Sequence, residues 1–113
     1  MYLKDAKKLI AYWQTELNLR NWKVDVQWAP AHEMSHDDAI ASIWWFTEDE
    51  IAHVKLVKAA VCGEELFEET IVHEMLHLRL EGHKTIEKRY DPQYELALNR
   101  LSALLVKLRH QND

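Results

Sequence analysis

Leu66-Phe67-Glu68-Glu69-Thr70-Ile71-Val72-His73-Glu74-Met75-Leu76-His77-Leu78-Arg79-Leu80 is a helix-periodic run with a single chemically distinctive stripe. Leu66, Phe67, Ile71 and Val72 before the histidines, and Leu78 and Leu80 after them, make a helix apolar on nearly every face except the one carrying His73, Glu74 and His77. Residues i and i+4 of a helix lie one turn apart on the same face, so both imidazoles can reach one metal ion while Glu74 stands beside them. A buried helix with one polar stripe needs a reason for the stripe. An H-E-x-x-H metal motif supplies one; the bland alternative is a pair of hydrogen-bonded core histidines.

The flanks support a helix over about residues 64–81. Glu64 and Glu65 place negative charge at its positive end, and Gly82 is suited to the position just past its C-terminus. A second match to the motif, His32-Glu33-Met34-Ser35-His36, lies between Pro30 and Asp37-Asp38 in a polar stretch with few apolar residues to hold a helix. It reads as a chance match in a surface loop.

Upstream, Leu3, Ala6, Ile10, Trp13 and Leu17 recur at helical spacing, which predicts an amphipathic helix to about Asn18 that covers one face of a sheet. Trp22, Val24, Val26 and Trp28 alternate with polar residues up to Pro30, as a strand does. Ala39 to Phe46 is apolar on both faces and rich in β-favouring residues, predicting a second strand, and Thr47 to Glu50 supplies a turn. Ala52, Val54 and Leu56 alternate through Ile51 to Val57, so a third strand is preferred over a helix opened by a Thr47-x-x-Glu50 capping box. Downstream, Asp91-Pro92 is an N-cap followed by proline at the first helical position. Ala97, Leu101, Leu104, Leu105 and Leu108 then mark an apolar stripe to about His110. The expected fold is α+β: one domain over residues 1–113, with an N-terminal helix, a small twisted sheet of about three strands, the histidine helix and a C-terminal helix.

With 113 residues, 48% of them hydrophobic, the chain can bury one core and is too short for two comfortable ones. A net charge of −5 without a basic run makes nucleic acid or an anionic membrane surface an unexpected partner. The lone Cys62 cannot form an internal disulfide and is expected to be a small packing residue; the N-terminus lacks signal-peptide character. No segment has the length and apolarity of a membrane span. These features lead to an expected cytoplasmic location.

Two histidines do not complete a catalytic zinc site, and the candidates for a third ligand are Glu95 and His83. Glu95, Asn99 and Ser102 form a polar line beside the leucine stripe, the position from which the last helix could look across at His73 and His77. Asn99, at i+4 from Glu95, could accept from the free ring N–H of a ligand histidine. His83 follows the motif at the spacing of the metzincin pattern H-E-x-x-H-x-x-G-x-x-H, but Leu80 stands where that pattern has glycine. SprT-type proteases also use a histidine after the helix.

With His73, Glu74, His77 and Glu95 in place, the chain resembles the gluzincin metallopeptidases, most closely their small phage and bacterial members, the minigluzincin and ImmA/IrrE-like proteins. The segment Tyr94-Glu95-Leu96-Ala97-Leu98-Asn99-Arg100-Leu101 is similar to the matching part of ImmA/IrrE-type peptidases. The resemblance spans about residues 39–108, with five specific positions. It implies a zincin-like domain in which a small sheet lies over the metal helix and an edge strand receives extended peptide.

The expected activity is therefore zinc-dependent hydrolysis of peptide bonds, with Zn2+ held by His73, His77 and Glu95, water activated by the metal, and Glu74 as general base. His83, Tyr90 and Tyr94 are candidates to stabilise the oxyanion. Two other classes stand beside this one. A zinc-stabilised binding module would have no use for Glu74, and a metal-free partner-binding domain would use Trp44, Trp45 and Phe46, which cannot all face inward from one strand.

Overall fold

A computed structural model describes residues 2–30, 32, 40–57, 63–85 and 91–111. The order of elements is α1 (Leu3–Glu16), β1 (Lys23–Trp28), β2 (Ala41–Phe46), β3 (Ile51–Leu56), α2 (Glu64–Glu81) and α3 (Pro92–Gln111). This is an α+β arrangement of three helices and a three-stranded mixed sheet, ordered β1-β3-β2. Among the described residues no helix is long and apolar enough to cross a membrane. Cys62, Tyr90 and all of the upstream H-E-x-x-H match except His32 lie outside the described residues.

The strand, turn and strand expected over Ala39 to Val57 form a hairpin. β2 and β3 pair antiparallel from Ala41↔Leu56 to Phe46↔Ile51, joined by a turn in which Glu50 takes a positive φ of 53°. β1 adds to the other side of β3 in parallel, Lys23↔Ile51 through Trp28↔Leu56, so β3 is central and β2 is an edge. Period-two alternation sends Val26, Ile43, Trp45, Ala52, Val54 and Leu56 to one face, where they pack on Ala6 and Ile10 of α1 and on Phe67, Ile71, Met75 and Leu78 of α2. Full burial of each of those last four side chains contributes roughly 1.5–3 kcal/mol. Of the three successive aromatics in β2, Trp45 is buried, while Trp44 stacks on His53 at 5.1 Å and Phe46 is 55% exposed.

α2 is covered from two sides. Opposite the sheet, its Val72 and Leu76 meet Trp13 of α1 and Leu98 and Val106 of α3 in a second cluster. Coverage by the sheet and by α3 is why the α2 sequence is apolar on nearly every face. Glu68 is buried in the same helix and receives hydrogen bonds from Trp13 Nε1 at 2.7 Å and from Arg109, with His110 Nε2 at 2.8 Å.

α3 departs from expectation. Of the stripe Ala97, Leu101, Leu104, Leu105 and Leu108, Leu105 packs on the second cluster while Leu101, Leu104 and Leu108 are exposed, and the buried residues are Leu98, Ser102 and Val106. His73, His77 and Glu68 of α2 are largely withdrawn from water and need partners. The face of α3 that carries Glu95, Arg109 and His110 adds partners to those that Trp13 gives Glu68 and Glu81 gives His77. Leaving such groups unpaired costs about 1–3 kcal/mol each or more for charges, enough to outweigh burial of a second leucine row.

Gly82 ends α2 as expected, but for another reason. Its φ of −61° is an ordinary right-handed value, so the left-handed freedom of glycine is not used. A Cβ there would lie 2.5 Å from the Leu78 carbonyl oxygen and 3.0 Å from the Trp22 ring. Gly82→Ala is thus expected to destabilise the fold by about 1–3 kcal/mol through overpacking, measured as a lower denaturation midpoint in urea.

Candidate metal centre

His73 and His77 occupy successive turns of α2, with ring centroids 5.1 Å apart and side chains 13% and 16% exposed. Both turn Nε2 toward the same carboxylate. Glu95, in the first turn of α3, lies 2.6 Å from His73 Nε2 through Oε2 and 3.1 Å from His77 Nε2 through Oε1. Asp91 fixes this first turn by accepting from the backbone N–H groups of Gln93 and Tyr94 at 3.0 and 3.3 Å, as an N-cap does. One donor atom from each of His73, His77 and Glu95 falls within 4.8 Å of the other two. Two imidazole nitrogens and one carboxylate oxygen converging on a point are a donor set that suits a four-coordinate zinc with one open position.

Glu74 sits on the same helix, buried, and it is not one of the three converging donors. Burial raises its pKa to about 7; Glu95 pushes the same way and His77 opposes it. A carboxyl group poised near neutrality can both take and return a proton. Burial also lowers the pKa of His73, with Glu95 opposing and His77 adding to the drop. For His77 burial acts downward too, but the hydrogen bond to Glu81 and the charges of Glu74, Glu95 and Glu81 outweigh it, and the net shift is upward.

The Glu81 contact was not foreseen. Its carboxylate lies 2.8 Å from His77 Nδ1 and accepts the Tyr94 hydroxyl at 3.0 Å, while the Tyr94 ring meets His77 edge-on with centroids 5.7 Å apart. A neutral His77 that donates from Nδ1 to Glu81 would have its lone pair at Nε2, free for a metal ion. Burial, then Glu81, raises the Tyr94 pKa to about 12, so the phenol keeps its proton and donates it to Glu81. The signal was in the sequence: Glu81 continues the His73, His77 line by one further turn. Glu81→Ala is expected to weaken metal binding about 10- to 100-fold and Tyr94→Phe less, measured by competition with a chromogenic chelator.

Other expected residues fall differently. Asn99 approaches His73 closely enough to favour its charged form, yet among the described residues His73 Nδ1 is buried without a hydrogen-bond partner. His83 is exposed in the turn after α2 and lines a polar depression with Asn18, Asn21 and Thr47 that none of the three donors lines. The edge strand β2 packs against α2, and its end is tied to the turn that follows that helix: Trp45 Nε1 and Thr47 Oγ1 each donate to the Lys84 carbonyl at 2.9 Å. Comparison of the chain with protein-family models, curated proteins and solved structures finds no match.

Proposed function

We infer that the chain is a zinc-dependent peptidase of the gluzincin kind, with a zincin-like fold. The observation that carries this is the placement of Glu95 between the Nε2 atoms of His73 and His77, with the buried Glu74 next to them on the same helix. His73, His77 and Glu95 would hold the ion. An ion such as zinc held there would supply Lewis-acid polarisation of a carbonyl oxygen and lower the pKa of a water to ~7.

The chain's own groups do the rest. Glu74 takes a proton from the attacking water and returns it to the leaving nitrogen, and its pKa of about 7 serves both directions. With an ion at Nε2, Glu81 would accept from His77 Nδ1 and so orient the ring, and Tyr94 holds Glu81. Of the two described oxyanion candidates Tyr94 is the better placed, because its ring lies against His77 whereas His83 lines a depression that none of the three donors lines. As an edge strand β2 would offer backbone groups to a substrate in extended conformation, and β3, paired on both sides, would not.

The test is to purify the protein without added zinc or chelator, measure its metal content, and incubate it and Glu74→Gln with denatured casein and a varied peptide library. About one zinc per chain and cuts in unstructured segments by the wild type alone are expected. Metal-free protein, or equal cutting by both, would sink the assignment; metal without cutting would favour a binding module.

A further inference from the structure

We propose that the outer face of α3 is a docking surface for an amphipathic helix of a partner protein whose apolar row is flanked by Asp or Glu. Ala97, Leu101, Leu104 and Leu108 follow one another at intervals of four, three and four, the seam spacing of paired helices. In this structure the seam faces outward: Leu101, Leu104 and Leu108 are 39%, 51% and 48% exposed. Core packing on the opposite face is already complete through Leu98, Ser102 and Val106, so the leucines are not needed to hold α3 in place. Exposed apolar rows of this regularity on a soluble domain mark contact surfaces.

The charges beside the seam choose the occupant. On one margin Leu105 and Tyr94 lead into the core shared with α2. On the open margin stand Arg100 and Lys107, both exposed and neither with an ion-pair partner among the described residues. An incoming helix lying in the seam would bring its own flanking residues against these two cations, which favours carboxylates there. A second copy of the chain fits less well. Antiparallel pairing along the same seam would set Arg100 of one copy beside Lys107 of the other, and parallel pairing would set Arg100 against Leu105. Helix-in-groove recognition by leucine anchors with charge-set specificity is the mode implied, and it is independent of the metal centre.

Two synthetic helical peptides test this, identical in length and in their leucine row and differing only in Glu or Lys at the flanking positions. Binding to the full chain is read by fluorescence anisotropy at low and at physiological salt. The Glu peptide is expected to bind about tenfold tighter than the Lys peptide at low salt, with the margin shrinking as salt rises. Arg100→Glu with Lys107→Glu should reverse the order. Leu101→Ser with Leu104→Ser should weaken the Glu peptide at least about tenfold while metal content and thermal midpoint stay near wild type, since both leucines are surface residues. Equal binding of the two peptides, binding of neither, or an order unmoved by the charge reversal would overturn the proposal. So would a wild-type dimer in sedimentation that the double serine variant returns to monomer, because the face would then be covered by a second copy.

Discussion

Glu74→Gln is expected to keep the full metal content and to lose peptide cleavage by on the order of 10²–10⁴-fold. Glutamine matches glutamate in shape, and Glu74 is not among the converging donors, so the cage of His73, His77 and Glu95 stays whole. What disappears is the group that accepts a proton in the buried environment that raises its pKa to about 7. Burying a neutral amide in place of a carboxyl group also removes a desolvation cost, so the variant should be no less stable than the wild type. His73→Ala and His77→Ala should behave in the opposite way, each losing most of the metal because two remaining donors cannot hold a zinc ion tightly. Elemental mass spectrometry and casein cleavage on the same preparations separate the two outcomes. Full zinc in His73→Ala, or undiminished cleavage by Glu74→Gln, would refute the mechanism.

Glu95→Ala is expected to lower zinc affinity by more than about 100-fold, beyond the 10- to 100-fold range typical of groups that only orient a ligand. His83→Ala should leave affinity within a few-fold of wild type. The difference rests on position: Glu95 lies 2.6 Å from His73 Nε2, whereas His83 is exposed beside Asn18, Asn21 and Thr47. Removing Glu95 also withdraws the carboxylate that both imidazoles face, so the metal-free protein should lose stability as well. Competition titration gives the affinities, and urea denaturation with chelator present gives the second effect. The reverse ranking of Glu95 and His83 would point to a metzincin- or SprT-like ligand set.

Much of the architecture was legible because its signals are local. The 3.6-residue period of α1 and α2, the alternation in β1 and β3 and the β-favouring composition of β2 are properties of short windows, and the observed bounds Glu64–Glu81 and Ile51–Leu56 fall within a residue of those expected. His73, Glu74 and His77 were legible for the same reason, since one turn of helix fixes their common face. Glu81 obeys the same periodicity and was overlooked, because a glutamate near a helix end is usually a solvated residue and only the approach of Tyr94 from α3 marks it as part of the site.

The sequence by itself determined the elements, the paired histidines with their adjacent glutamate, and Glu95 as a candidate across from them. Only the tertiary structure decided that β1 pairs with β3 and that β1 and β2 stand at the two edges, because strand neighbours are chosen by long-range hydrogen bonds. It also decided which face of α3 turns inward. The leucine row at Leu101, Leu104 and Leu108 has the stronger hydrophobic signal, yet the row through Leu98 and Val106 is buried, because that rotation gives His73, His77 and Glu68 the partners Glu95, Arg109 and His110. An apolar period reports that a helix has a face to bury, and polar groups waiting on the neighbouring helix determine which face it is.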